Sequence, residues 1–362
     1  MHRCQQWTIF GRQTFPCACS TKMYCDAQDI PRISDSGSST GLSHSSQFHH
    51  GWSHSHLLAQ HNTMDMIGQA HIIHLFAKAC RKEAFTSEEL LSGNVSRHSI
   101  VPLLSNSYTP GPELDRHIVG SAQPQHDQFV PTSKPPPEST WAYFTFSSAS
   151  LASLKSLASD AINPAAFVST DDAPTAFIWQ LLIRARFPRL RPTAESTIAR
   201  AVNAWPYPGI SPVYPGPIQS SAYSTGNVQD LVENALGNIA LQLRSAIDPK
   251  TSNFEFQTRA IATYLSRTPN KAHFSSTAKF DHSVDLILSS WAKVRGYEAD
   301  FDLGLGKPEA VRRPRFRAVE GLVFLMPRTP NGNIAVAVSL RDDDVKRLRA
   351  DVKFGKYAEY IG

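Results

Sequence analysis

A proline-rich stretch from about Ser92 to Ser139 divides this sequence into two parts. It ends in the run Lys134-Pro-Pro-Pro137, and each proline lacks a backbone N–H and has a fixed φ angle. Neither an α-helix nor a central β-strand persists through such a run. The pattern therefore predicts a long crossover at residues 92–139 between two separately folded units.

Length and composition place the chain among globular proteins. Of its 362 residues, 41% are hydrophobic and 19% are charged, which is enough for two domains that each bury a core. The net charge of +5 is too small to indicate a nucleic-acid-binding surface, and the basic residues are scattered except around Lys307 to Arg317. No apolar run suits a membrane span or a signal peptide. We expect a cytoplasmic monomer that binds neither nucleic acid nor membrane.

Residues 1–56 are rich in Ser, His, Gln, Gly and Cys and show no helical or strand periodicity. This composition predicts a disordered or non-native leader. The chain has five cysteines at uneven spacing, which does not indicate a disulfide framework. Metal binding by the leader stays open as an alternative, because its cysteines and histidines are possible zinc ligands: Cys4, Cys17, Cys19, Cys25, His44, His49, His50, His54 and His56.

A regular apolar pattern begins directly after this leader. The spacing predicts a helix that starts at Met66 and ends at the basic pair Arg81-Lys82. We assign residues 57–91 to an N-terminal domain. The apolar face of the predicted helix consists of Ile67, Ala70, Ile73, Phe76, Ala77 and Cys80.

Residues 140–362 carry alternating strand-like and helix-like patterns and form the predicted C-terminal domain. Trp141–Phe146 alternates as a half-buried strand does, and the apolar spacing over 228–247 predicts one long amphipathic helix. Asn331-Gly332 lies between two apolar runs and predicts the turn of an antiparallel hairpin. The sum is a mixed α/β protein with two layered domains.

Two short motifs indicate the chemistry. His61-Asn-Thr-Met-Asp65 has the form HxxxD, and Asp302-Leu-Gly-Leu-Gly-Lys-Pro308 follows far along the chain. Each motif alone arises easily by chance, whereas both together are much rarer. They resemble the HxxxD and DFGWG motifs of the BAHD acyltransferases. Four further segments are most similar to the fungal branch that includes trichothecene 3-O-acetyltransferases: Ser169-Thr-Asp-Asp-Ala173, Ala176-Phe-Ile-Trp179, Leu288-Ser-Ser-Trp-Ala-Lys293 and residues 304–316.

The resemblance covers about residues 57–362 and implies both a fold and an activity. Members of the family have two mixed-sheet domains of the chloramphenicol-acetyltransferase type, joined by a long crossover. A channel between the domains admits acyl-CoA from one side and the acceptor from the other. The resemblance implies transfer of an acyl group, most simply acetyl from acetyl-CoA, to the hydroxyl or amine of a small secondary metabolite, without a metal.

The resemblance also assigns roles to residues of the first motif. A neutral imidazole is a suitable general base for an alcohol that attacks a thioester, and His61 takes this role. Transfer is direct in the family, so no nucleophilic serine or cysteine is required. Asp65 is expected to support its loop rather than to orient His61. Gly68 either lets the backbone pass close by or is a plain turn residue.

The second motif is expected to be structural, through Asp302, Gly304 and Gly306. In the family its aspartate pairs with an arginine, but the matching segment here, Ala201–Trp205, has Trp205 in place of that arginine. An unpaired Asp302 carries a desolvation penalty if it is buried. Asp300 is an alternative alignment for the same aspartate.

Contacts with the coenzyme are expected from two groups of side chains. Serine hydroxyls near the channel and cations that neutralise phosphates are suitable, although a solvated basic loop is the alternative reading of the cations. The candidates are Ser289, Ser290, Lys307, Arg312, Arg313 and Arg315.

Only 60 residues precede His61, and the resemblance begins near Leu57. Because strands and helices precede this motif in the family, we expect the first domain to be incomplete. Two alternatives to an active acyltransferase therefore stay open: an inactive truncated or wrongly assembled relative, and a metal-binding protein. The sequence specifies neither the acceptor nor the acyl group.

Overall fold

The computed structural model describes residues 4–12, 24–25, 42–49, 52–97, 100–119, 138–204, 210–314 and 316–362. The strands in these residues are β1 (Cys4–Arg12), β2 (Tyr24–Cys25), β3 (Leu42–His49), β4 (Trp52–Gln60), β5 (Thr140–Phe146), β6 (Glu195–Asn203), β7 (Gln219–Asn227), β8 (Leu286–Ser290), β9 (Ala310–Pro314), β10 (Leu322–Leu325), β11 (Ile334–Leu340) and β12 (Ala358–Tyr360). The helices are α1 (Met66–Cys80), α2 (Ser87–Gly93), α3 (Ser148–Asp160), α4 (Asp172–Arg186), α5 (Val228–Glu233), α6 (Leu236–Ser245), α7 (Phe254–Arg267), α8 (Asp342–Ala350) and α9 (Val352–Gly355). The predicted mixed α/β class is confirmed.

Seven strands form one large mixed sheet in the order β12-β5-β11-β10-β8-β6-β7. Strand β8 runs parallel to both of its neighbours, β10 and β6, and the other neighbouring strands are antiparallel. The predicted hairpin is confirmed, because β10 pairs with β11 and Val323 lies opposite Val338. Gly332 in its turn has a φ of +82°, a conformation that glycine adopts without strain.

Helix α4 is the central helix against this sheet. Almost every one of its residues is buried, as its all-round apolar sequence predicts. It packs against α3, α6 and α8, and Phe177 of α4 joins Phe144 of β5 and Leu243 of α6 in one core. Burial of each such side chain contributes about 1.5–3 kcal/mol to stability. The core fixes the ends of β6 and β8, where the candidate site lies.

The prediction of one long helix over residues 228–247 is wrong. The structure has two helices, α5 and α6, because Asn234 and Ala235 between them have extended backbone conformations. The buried side chain of Gln180 donates hydrogen bonds to the carbonyl oxygens of Leu231 and Asn234, both at 2.9 Å. These hydrogen bonds provide partners for carbonyl oxygens at the break between the two helices. The apolar spacing continues through the break, so the spacing alone did not reveal it.

A second sheet of five strands has the order β2-β9-β1-β4-β3. Four of its strands, β1 to β4, lie wholly or partly within residues 1–56, the segment predicted to be a leader without regular structure. The composition of this segment did not indicate these strands. The hydrogen bonds between paired strands join backbone groups, so they form without an alternating apolar pattern. The predicted C-terminal domain, residues 140–362, also contributes β9 to this sheet. The limits of the domains otherwise stay predictions.

The described residues of the predicted crossover pack against α7. Pro112–Leu114 is a short 3₁₀ turn, and Ile118 forms an isolated bridge with Phe274. Arg267 of α7 donates hydrogen bonds to the carbonyl oxygens of Leu104 and Ser105 at 3.2 and 3.0 Å. In the part of the chain that the structure describes, no helix is long and apolar enough to cross a membrane.

Candidate active site

A cleft of about 960 Å³ lies between α1 and the ends of strands β6 and β8. One face of α1, which includes Ile67, Ala70 and His71, forms one of its walls. Other walls come from the ends of β6 and β8 and from the loop 291–299. The cleft thus joins the helix that follows the HxxxD motif to the large sheet.

The HxxxD motif lies at the edge of this cleft. β4 ends at Gln60, and its carbonyl oxygen accepts hydrogen bonds from the backbone N–H groups of Thr63 and Met64 at 2.9 and 3.3 Å. His61 is half-buried in this turn, and Asp65 lines the cleft, whereas His61 itself is not among the lining residues. His61 therefore lies beside the cleft, and Asp65 lies in its wall.

Asp65 is buried and has two backbone partners. Its Oδ1 accepts a hydrogen bond from the N–H of Gly68 at 2.9 Å and caps the N-terminus of α1. Its Oδ2 accepts from the N–H of Ile218 at 3.1 Å, in the segment that leads into β7. A Cβ on Gly68 would lie 2.0 Å from the carbonyl oxygen of Pro215, so this position requires glycine for close backbone approach.

Ser289 and Ser290, at the end of β8, both line the cleft. The Oγ of Ser290 donates a hydrogen bond to Asp171 at 2.7 Å, and the Oγ of Ser289 accepts one from the indole of Trp291 at 3.0 Å. The hydroxyl proton of Ser289 is therefore available to a ligand. These predicted coenzyme contacts lie together with Asp65 in one cleft.

A buried ion-pair network supports this end of the cleft. Arg200 of β6 donates to Asp172 at 3.0 Å, and Arg244 of α6 binds the same carboxylate. Burial alone would raise the pKa of Asp172, but Arg200, the backbone N–H of Ser169 and Arg244 together hold it below its ordinary value. The carboxylate therefore stays ionised and fixes both arginines.

Comparison with known proteins identifies the family. The model of the Transferase family matches residues 56–354, which begin before the HxxxD motif and include the second motif. This chain belongs to that family, the BAHD acyltransferases.

Two curated relatives and one solved structure show how close the match is. An O-acetyltransferase of Cryptosporiopsis sp. is 50% identical over 305 residues, which are 84% of this chain and 66% of the relative. The trichothecene 3-O-acetyltransferase of Fusarium sporotrichioides is 44% identical over 304 residues, 84% of this chain and 64% of that protein. A Fusarium graminearum enzyme of the same type, in complex with coenzyme A and deoxynivalenol, matches with a TM-score of 0.82 and 42% identity over 89% of this chain and 70% of that one. The chain spans slightly less than two thirds of the length of the curated relatives it matches.

The segment that resembles the second BAHD motif, Asp302–Pro308, lies in a loop outside the cleft. Asp302 is exposed and has a φ of +54°, and its N–H donates to the side chain of Asp300 at 2.9 Å. Gly304 and Gly306 both have φ values of +71°. The desolvation penalty considered for a buried Asp302 does not arise, because its carboxylate is solvated. Trp205, predicted to replace the family's arginine, lies outside the described residues.

The side chains predicted to contact phosphates that the structure describes do not line the cleft. Arg313 is fully buried, with its guanidinium 3.8 Å from the ring of Trp141 and 2.9 Å from the hydroxyl of Tyr143, and burial lowers its pKa to about 10. Such a side chain does not reach a phosphate in this conformation. Lys307 is exposed and Arg312 lies in β9, and neither lines the cleft. Arg315 lies outside the described residues.

Several polar side chains in the cleft were not predicted from the sequence. His71 lines it from α1, its Nε2 is buried without a hydrogen-bond partner, and its pKa is lowered by burial and then by His74. The cations that line the cleft are Arg200, Arg244, Lys293 and Arg295. Lys293 belongs to the family-like segment Leu288-Ser-Ser-Trp-Ala-Lys293, which was the available signal for it. Among the described residues no group of His, Cys, Asp and Glu is arranged to hold a metal ion.

Proposed function

We propose that this protein transfers an acyl group from acyl-CoA to a hydroxyl group of a small organic acceptor, with His61 as the general base. The observation that carries the proposal is the HxxxD motif of a BAHD chain at the edge of a cleft. The cleft volume of about 960 Å³ lies at the upper end of the range of roughly 300–1,000 Å³ found for ligand sites. Its hydroxyls and cations suit the polar groups of a coenzyme A thioester.

The proposed reaction has one proton to move. An alcohol attacks a thioester carbonyl carbon slowly unless a base takes its proton as the new C–O bond forms. His61 accepts that proton on its imidazole, the C–S bond breaks, and the imidazolium that has formed returns the proton to the departing sulfur. The products are an ester and the free thiol of coenzyme A, so no acyl-enzyme and no further reactant is needed.

Asp65 has a supporting part in this proposal. Both of its carboxylate oxygens accept hydrogen bonds from backbone N–H groups, at Gly68 and at Ile218. The proposed role is to hold the first turn of α1 and the start of β7 in place, which fixes the turn that presents His61. Gly68 allows the close backbone contact that this arrangement requires.

The relatives support a narrower proposal for donor and acceptor. The relatives that are 50% and 44% identical are named as an O-acetyltransferase and a trichothecene 3-O-acetyltransferase, and the solved Fusarium graminearum enzyme is in complex with coenzyme A and deoxynivalenol. Acetyl-CoA is therefore the proposed donor, and a hydroxylated secondary metabolite is the proposed acceptor. A cytoplasmic location and a monomeric state stay predictions.

The test is release of free thiol from acetyl-CoA in the presence of a panel of alcohols that includes deoxynivalenol. Wild-type protein should release thiol only with an acceptor, and His61→Ala should abolish the release. His273→Ala is the matched control, because His273 is exposed and does not line the cleft. Thiol release that survives His61→Ala would show that another group is the base.

A further inference from the structure

The loop 291–299 forms one wall of the cleft, and α1 forms another. Val294 and Ala299 line the cleft from the loop, and Ile73 lines it from α1. All three are also buried in one apolar cluster, together with Ala77 of α1. The position of this loop relative to α1 therefore sets how far apart two walls of the cleft lie.

Two contacts near the C-terminal end of α1 join the next residues of the chain to this helix. Arg81, the C-cap residue of α1, donates a hydrogen bond from Nη1 to the carbonyl oxygen of Asp300. The ring of Phe76 on α1 has its centroid 5.7 Å from that of Phe301. The second-motif segment begins at the next residue, Asp302, so both contacts lie between that segment and the cleft wall.

The guanidinium of Arg81 is held in the orientation that this hydrogen bond requires. Its Nε and Nη2 donate to the two carboxylate oxygens of Glu83 at 2.6 and 2.9 Å, a bidentate arrangement that leaves Nη1 for Asp300. The negative charges of Asp300 and Asp302 also attract Arg81. One cation at the end of α1 thus binds the chain, by a hydrogen bond and by charge, where the second-motif segment begins.

We infer that Arg81 is a positioning residue for the cleft. It holds the loop 291–302 against α1 through the carbonyl oxygen of Asp300, and in this way it fixes the wall that Val294 and Ala299 form. Asp65 caps the N-terminus of the same helix, so α1 connects the HxxxD motif at one end to the second-motif segment at the other. This inference rests on the proposed function, because the position of the wall affects turnover only if the cleft binds the substrates.

Loss of this hydrogen bond should act on binding rather than on the chemical step. A loop that leaves α1 for part of the time lowers the fraction of protein that is ready to bind, and the apparent affinity falls by that fraction. After binding, the ligand holds the wall in place, and His61 meets the bound substrates as it does in wild type. The expected result is therefore a higher KM with little change in kcat.

Hydrogen exchange with mass spectrometry and steady-state kinetics together test this role. Arg81→Met removes the donor and keeps an unbranched side chain. The backbone amides of residues 294–302 should exchange about tenfold faster, and the KM for acetyl-CoA should rise about tenfold while kcat stays within about twofold. Arg81→Lys keeps a cation and a donor near Asp300, so it should recover most of the wild-type affinity. Thermal unfolding of each variant verifies that it is folded.

Arg328→Met is the matched control. Arg328 is exposed in the turn between β10 and β11, donates to the carbonyl oxygen of Gly332 at 2.8 Å and does not line the cleft. This variant loses the same kind of hydrogen bond, but exchange in residues 294–302 and the KM should stay at wild-type values. Arg81→Met with wild-type exchange in residues 294–302, or with faster exchange there and an unchanged KM, would overturn the inference.

Coenzyme A binding, measured by calorimetry, separates this inference from the proposed function. If wild-type protein releases thiol from acetyl-CoA and Arg81→Met has the same KM, the acyltransferase proposal stands and the positioning role is rejected. If Arg81→Met binds coenzyme A about tenfold more weakly but wild-type protein releases no thiol with any acceptor, the positioning role stands and the proposed reaction is rejected. Wild-type protein that does not bind coenzyme A rejects both.

Discussion

Asp65 binds the backbone N–H of Ile218 through Oδ2 at 3.1 Å while its Oδ1 caps α1 at Gly68. One carboxylate thus joins two segments that are 153 positions apart in the chain. Both carboxylate oxygens of Asp65 accept hydrogen bonds from backbone groups, so Asp65 holds the backbone next to His61 in place. These hydrogen bonds fit a supporting role for Asp65 better than the orientation of the His61 side chain.

Replacement of Asp65 by alanine should therefore lower stability. It removes a helix cap and leaves a buried N–H without a partner, which together cost about 2–4 kcal/mol. Urea unfolding measures the change, and Asp160→Ala, at an exposed position near the end of α3, should change stability by less than about 0.5 kcal/mol. Full stability of the Asp65 variant with lost turnover would instead indicate that Asp65 orients His61.

Gly68→Ala should also destabilise the protein. The added Cβ would lie 2.0 Å from the carbonyl oxygen of Pro215, so backbone must move, at a cost of about 1–3 kcal/mol. Gly93→Ala is the matched control, because nothing lies within 4 Å of its added Cβ and alanine favours the helix by up to about 1 kcal/mol. Equal stabilities of the two variants in denaturant unfolding would contradict the close approach.

Asp172→Asn should cost about 3–5 kcal/mol, because it leaves the buried Arg200 without its closest carboxylate. The matched control is Asp343→Asn, which breaks an ion pair with Lys346 whose two side chains are each 75% exposed. Exposed pairs contribute at most about 1 kcal/mol. Similar unfolding midpoints for the two variants would show that the network contributes little to stability.

His117 should make stability depend on pH. It is buried beside Tyr223 and Phe274, and burial, followed by the charge of Arg116, lowers its pKa from 6.5 to about 4. The unfolded chain therefore binds a proton more readily, so this contribution is present above pH 6.5 and is lost as pH falls toward 4. The largest loss is about 3 kcal/mol.

Urea unfolding at pH 7 and pH 5 measures this effect in wild-type protein and in His117→Phe, which keeps an aromatic ring at the position. The variant should lose less stability than wild type between the two pH values. His273→Ala removes an exposed histidine and should keep the wild-type pH dependence. The same pH dependence in His117→Phe would exclude His117 as its source.

Local patterns predicted the parts of the fold in which local and tertiary preferences agree. The hairpin of β10 and β11 follows from the turn dipeptide Asn331-Gly332, and helix α1 follows from the apolar spacing that begins at Met66. The break between α5 and α6 could not be predicted in this way. It depends on Gln180, which is distant in sequence and satisfies the carbonyl of Asn234.

The candidate site shows the same division. The HxxxD motif and Ser289-Ser290 lie at one cleft because they are local features of chain segments that the fold brings together. The burial of Arg313 among aromatic rings, and the approach of Arg244 to Phe167, are set only by packing. The basic residues around Lys307 to Arg317 were visible in the sequence. The sequence did not show that other cations line the cleft.

The most direct measurement of the central claim is mass spectrometry of quenched reactions that contain acetyl-CoA and a hydroxylated acceptor. The account predicts acceptor that has gained one acetyl group with wild-type protein and with His273→Ala, none with His61→Ala, and no acetylated protein at any time. Acetylated acceptor formed by His61→Ala at the wild-type rate, or an acetyl group on the protein that chases into product, would contradict direct transfer with His61 as the base.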